Sequence, residues 1–183
     1  MYNKGMKFIR KLILLTFFSL NIFSKDPSIS KFSTYVKHSL VLVSLELEDA
    51  FPSEILERVR SGLPLTFTYY FYLKTEGKIK DKVWVKTKVT VTCKYDPVKI
   101  EYRLNFRKDD QLFDTKFVHS WSETARLMSS FQNLSLFEVP EEAKGKEIYL
   151  SVEVHLLSKT KWLIFPSSIS VPETTSAIFK VNE

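Results

Sequence analysis

The chain has 183 residues, 44% of them hydrophobic and 26% charged, which is enough for one domain with a sizeable core and too few for two ordinary ones. Four glycines cannot build a Gly-rich phosphate loop, and a lone cysteine, Cys93, excludes a disulfide within the chain. The formal charge of +6 does not indicate nucleic acid: Lys4, Lys7, Arg10 and Lys11 supply four of the charges within an acid-free stretch up to Ser24, leaving +2 for the rest.

Those four cations precede a short apolar run, Leu12 to Phe23, and "SKDPS" follows it. The run is shorter than the ~20 residues a membrane-spanning helix needs. Residues 1–24 therefore read as an export signal or, uncut, as an N-terminal anchor, so the domain is expected in the periplasm or tethered to the inner membrane. Residues 25–34 read as a polar linker and 35–183 as a single β-sandwich domain.

The first strand signal is Val41, Val43, Leu45 and Leu47 alternating with Ser44, Glu46 and Glu48. A short helix follows: Pro52 suits its first turn, Ile55, Leu56 and Val59 form its apolar stripe, and Gly62 and Pro64 end it. The period then switches to two, with Phe67, Tyr69, Phe71 and Leu73 on one face and Thr66, Thr68, Tyr70 and Tyr72 on the other. "EGKIKD" (Glu76 to Asp81) is a hairpin loop, and alternation resumes from Val83 to Tyr95. A turn at "YDP" leads to a strand with Val98, Ile100, Tyr102, Leu104 and Phe106 inward. Phe113, Thr115 and Phe117 suggest a short strand, and Ser120 with Glu123 matches a capping box opening a helix with Trp121, Ala125, Met128 and Phe131 in step. Ile148 to Leu156 alternates again, "KWLIFPSSISVP" reads as an irregular crossing, and Ala177, Phe179 and Val181 close the chain. About seven strands and two short helices predict an all-β fold, an antiparallel sandwich or partly open barrel.

No residue set predicts catalysis, a cofactor or a metal. His38, His119 and His155 are scattered, without zinc-ligand spacing, and Cys93 sits on the apolar parity of its strand, as a buried inert thiol does. Adjacent Asp109 and Asp110 read as a solvated turn. One face stands out. Trp84, Lys86, Lys88, Lys94, Lys99, Arg103 and Arg107 share the outward parity of the central hairpin, with Glu101 the only acid among them. Cations beside a tryptophan suit an anionic envelope component or an acidic partner; the same pattern also suits a solvated face whose lysines discourage edge association. Trp162, Leu163, Ile164 and Phe165 form a candidate apolar patch, with the plugging of one end of the sandwich as the other reading.

The stretch "SGLPLTF" (Ser61 to Phe67), following a signal-like start and an acidic, leucine-rich strand, resembles a bacterial envelope family catalogued as domain of unknown function 4390. "CKYDPVKIEYRL" (Cys93 to Leu104), "SWSETARLM" (Ser120 to Met128) and the late strand with its apolar proline element extend the resemblance, although His155 and Leu156-Leu157-Ser158 depart from the family's pattern. The resemblance implies an exported protein without established activity and without catalytic residues to carry over. It also implies a role beside a membrane protein such as a sensor kinase. The expected function is a non-enzymatic periplasmic binding module with a membrane protein or anionic envelope component as partner. The alternative is a carrier holding an apolar ligand or lipid between its sheets, lined by Tyr70, Tyr72 and the "WLIFP" segment (Trp162 to Pro166).

Overall fold

The strongly alternating segments form strands that bury most of their apolar parity. The computed structural model describes residues 26–157 and 169–181. The expected export segment and the apolar patch at Trp162, Leu163, Ile164 and Phe165 lie outside the described residues. In chain order the elements are β1 (Ser28–Lys37), β2 (Leu40–Glu48), α1 (Ser53–Arg60), β3 (Leu65–Thr75), β4 (Lys82–Asp96), β5 (Glu101–Lys108), β6 (Gln111–Val118), α2 (Trp121–Ser129), β7 (Ser130–Glu138), a 3-10 turn (Glu141–Ala143), β8 (Glu147–Leu157), β9 (Ile169–Thr175) and β10 (Phe179–Lys180).

Two antiparallel sheets result. The smaller runs β1-β2-β7; the larger runs β8-β3-β4-β5-β6, with β9 and β10 both paired to the other side of β8. Neither closes into a barrel. Phe67, Tyr69, Phe71 and Leu73 of β3, at 0% exposure, join one core with Val41, Val43 and Leu45 of β2 and Val89, Val91 and Cys93 of β4. Helix α2 completes it: the Tyr69 hydroxyl donates to the Met128 carbonyl at 2.5 Å, and the Phe131 ring stands edge-on to Tyr69.

Local chemistry sets the boundaries. Gly62, at φ +88, takes the left-handed position that closes α1, where its N–H donates to the Val59 carbonyl. Ser120 caps α2 by accepting from the Glu123 N–H. Gly77 meets a different demand. A Cβ there would lie 2.0 Å from the Lys80 carbonyl oxygen, so the β3–β4 loop closes only on a glycine.

Three strands carry weak alternation and exceed the expectation. The polar stretch 25–34 is not a linker throughout: from Ser28 it is β1, an outer strand whose alternation a bulge near Ile29 and Lys31 interrupts. Phe131 does not continue α2; the chain turns extended at Ser130 and becomes β7, twice out of register with β2 and with Asn133 at φ +52. Ile169–Thr175 of the supposed crossing pairs with β8. Val98 and Ile100 are corrected too. They are 89% and 65% exposed because residues 97–100 form the β4–β5 turn, where the Asp96 carboxylate accepts from the Val98 and Lys99 N–H groups and holds both residues off the sheet.

Candidate functional site

The outer face of β4 and β5 does not keep its seven predicted residues in one setting. Trp84 is the extra residue of a β-bulge: Leu73 pairs with Val85 and Lys74 with Val83. Its ring is half-buried against the core, its indole N–H donates to Thr75 Oγ1 at 2.8 Å, and the Lys82 and Lys146 ammonium groups lie 3.4 and 4.3 Å from the ring centroid. The expected exposed tryptophan is therefore covered, and the same bulge leaves Val83, expected inward, 47% exposed. Lys86 lies over the Tyr70 and Tyr72 rings, at 4.7 and 5.2 Å from their centroids.

Lys88 and Arg107 are committed to the β5–β6 turn. Asp109 and Asp110 have φ of 48° and 68°, a two-residue left-handed pair that lets the hairpin reverse tightly. Asp109 accepts from the Lys88 N–H, Asp110 forms a 2.8 Å ion pair with Lys88, and Arg107 donates to the Asp110 carbonyl. The two acids thus hold the turn against β4.

Lys94, Lys99 and Arg103 remain. Lys94 and Arg103 are direct cross-strand partners, and Phe117 of β6, 56% exposed, is the partner of Arg103 on its other side. Register therefore lines up Lys94, Arg103 and Phe117 across three strands. With Lys99 and the turn they line a hollow of about 330 Å³. Two acids belong to it. The backbone N–H groups of Lys99 and Val98 hold the Asp96 carboxyl below its ordinary value, with Lys99 and Lys94 adding to the effect. Glu101 lies 3.7 Å from Lys99. Among the described residues neither Lys94 nor Arg103 has a salt bridge. Like charges directly opposite on a sheet destabilise it, and the nearest acids, Asp96 and Glu101, form no salt bridge with either member of this pair among the described residues.

The other candidates lie elsewhere. His155 Nε2 is 2.6 Å from Glu153 Oε1, with its ring edge-on to Tyr70, on the outer face of the large sheet. The His119 ring contacts the Ile100 carbonyl, and His38 sits in the β1–β2 turn. No three metal-ligating side chains gather among the described residues. Burial pushes the Cys93 thiol up to about 12. Tyr70 and Tyr72 do not line an intersheet pocket: they share the outer parity of β3, beneath Lys86. A groove of about 550 Å³ runs along the seam between β6 and β7, bordered by Phe106, Lys108, Phe113, Arg126 and Phe131. Sequence periodicity does not reveal this groove, because one wall is β7, whose alternation is broken by two register shifts.

The family model described as domain of unknown function (DUF4390) matches residues 24–175. The chain belongs to that family. The matched range holds β1 through β9 and the whole Lys94–Arg103–Phe117 row. Neither the curated proteins nor the solved structures contain a match.

Proposed function

We propose that this protein is a non-enzymatic interaction module of the cell envelope that holds an anionic partner against the outer face of β4 and β5. The observation that carries this reading is the cross-strand Lys94–Arg103 pair, which has no salt bridge among the described residues. A sheet loses stability by setting two cations directly opposite, and departures from local rules concentrate at working surfaces. Lys99 beside the pair and Phe117 at its end make the hollow suited to an anion carried on an apolar body. The anionic head group of an envelope lipid and an acidic segment of a membrane protein share that chemistry.

The carrier alternative draws less support. The space between the sheets that a carrier keeps for its ligand is filled by Phe67, Tyr69, Phe71, Leu45 and Met128, all buried. The groove of about 550 Å³ lies at the seam, outside that interior.

The test is co-sedimentation of the full chain with vesicles of phosphatidylcholine alone or mixed with phosphatidylglycerol, at low and high salt, with soluble polyglutamate as competitor. The reading predicts extra retention on the anionic vesicles that salt removes. Competition by polyglutamate at low concentration assigns the site to acidic protein segments. Equal retention on both vesicle types, together with no binding of polyglutamate, contradicts the reading.

A further inference from the structure

Among the described residues, strand β6 is the free edge of the large sheet and stays exposed along most of its length. Leu112, Phe113 and Phe117 on it are 55%, 48% and 56% exposed. Its unpaired backbone edge, eight residues long and carrying large apolar side chains, is a template for another strand. The order of its residues specifies which strand. Around Thr115 the sequence runs Asp114-Thr115-Lys116, so reading it backwards exchanges the acid with the base.

We propose that two copies of this chain pair edge to edge through β6, antiparallel about a two-fold axis at Thr115, so that the two large sheets continue into one another. Thr115 then meets Thr115 of the other copy, and each Asp114 stands opposite the other copy's Lys116. Both cross-strand pairs bring opposite charges together, the favourable arrangement on a sheet. The faces agree as well. Asp114 and Lys116 are the register partners of the inward Phe106 and Leu104, so the ion pairs form on the inner side, where the two charges already lie 3.8 Å apart within one chain. Thr115, Phe117 and Leu112 partner Asn105, Arg103 and Arg107 on the outer side. The bulge in β6 sets Phe113 aside toward Phe106, so Phe117 of one copy falls opposite Leu112 of the other. An isologous contact uses both β6 edges and closes, which removes the open template. The outer row then passes without a break from Arg103 and Phe117 to Leu112 and Arg107 of the second copy.

The proposal stands apart from the anion reading, since its variants leave Lys94 and Arg103 in place and vesicle binding is not its readout. Sedimentation velocity of the full chain in a zwitterionic detergent, over a concentration series, is the first measurement. The expected result is a shift with concentration to twice the 21.4 kDa protein mass. Asp114→Lys weakens the dimer by about 30-fold through like-charge opposition, and Asp114→Lys/Lys116→Asp returns it to within about threefold of wild type. Thr115→Cys cross-links to a dimer under mild oxidation far faster than Glu57→Cys on exposed α1, with the native Cys93 buried and silent. Far-UV circular dichroism establishes that each variant is folded. A single protein mass at all concentrations overturns the proposal. So does a folded double variant that fails to recover the dimer, or Thr115→Cys cross-linking no faster than Glu57→Cys.

Discussion

At the scale of single residues, the Lys94–Arg103 opposition separates stability from binding. Lys94→Gln removes one cation of the pair, so Tm rises by about 1–3 °C in a calorimetric or fluorescence melt. A second residue-scale prediction concerns pH. Asp81 accepts from the Tyr149 hydroxyl and the Gly77 N–H, and the Tyr149 bond, the larger cause, holds its carboxyl below the ordinary 3.8. A depressed carboxylate stabilises the fold above its unfolded value and loses that contribution as pH falls through the folded one. Tyr149 has the opposite sign. Burial first, then Asp81, pushes its phenol from 10.0 to about 12, so its contribution is present below 10 and fades as pH rises toward 12. Tyr149→Phe therefore flattens the fall of Tm on both the acid and the alkaline side, which melts across the pH range measure. The basic residues were legible in the sequence as a parity pattern, but their pairing was not. Lys88 and Arg107 are taken up by a turn whose left-handed Asp109 and Asp110 the sequence shows only as two adjacent acids, and Trp84 is turned by a bulge that alternation cannot reveal.

Among the elements, legibility followed burial. Strands β2, β3, β4 and β8 lie in the middle of their sheets, and their core faces alternate cleanly enough to be read. β1, β7 and β9 pair at sheet margins or through register shifts, so fewer of their positions need to be apolar and the period breaks. The reversal at Ser130 explains why helical spacing seemed to continue to Phe131: Phe131 enters the core beside Tyr69 from a strand, at a position a further helical turn would also have made apolar. Helix α2 is held by one polar contact at each end. Ser120→Ala loses the cap bond to Glu123 and costs about 1 kcal/mol. Tyr69→Phe leaves the buried Met128 carbonyl without its donor and costs about 1–3 kcal/mol. Urea unfolding measures both, and an unchanged midpoint in Tyr69→Phe contradicts the role assigned to that bond.

For the molecule as a whole, the two sheets enclose side chains, and the surface carries the unspent chemistry. Phe71, with no exposure, sits in the middle strand of that interior, so Phe71→Ala costs about 3–5 kcal/mol by urea unfolding. The all-β class and the presence of two short helices follow from periodicity because they depend on burial. The proposed anion-binding face depends on which cations the fold leaves over, and this follows from turns, bulges and cross-strand register. The most direct measurement sets Lys94→Gln/Arg103→Gln beside wild type and follows unfolding and anionic-vesicle binding on the same preparations. The account predicts a higher Tm together with binding weakened by about 30-fold at low salt. A lower Tm, or unchanged retention on anionic vesicles, would contradict it.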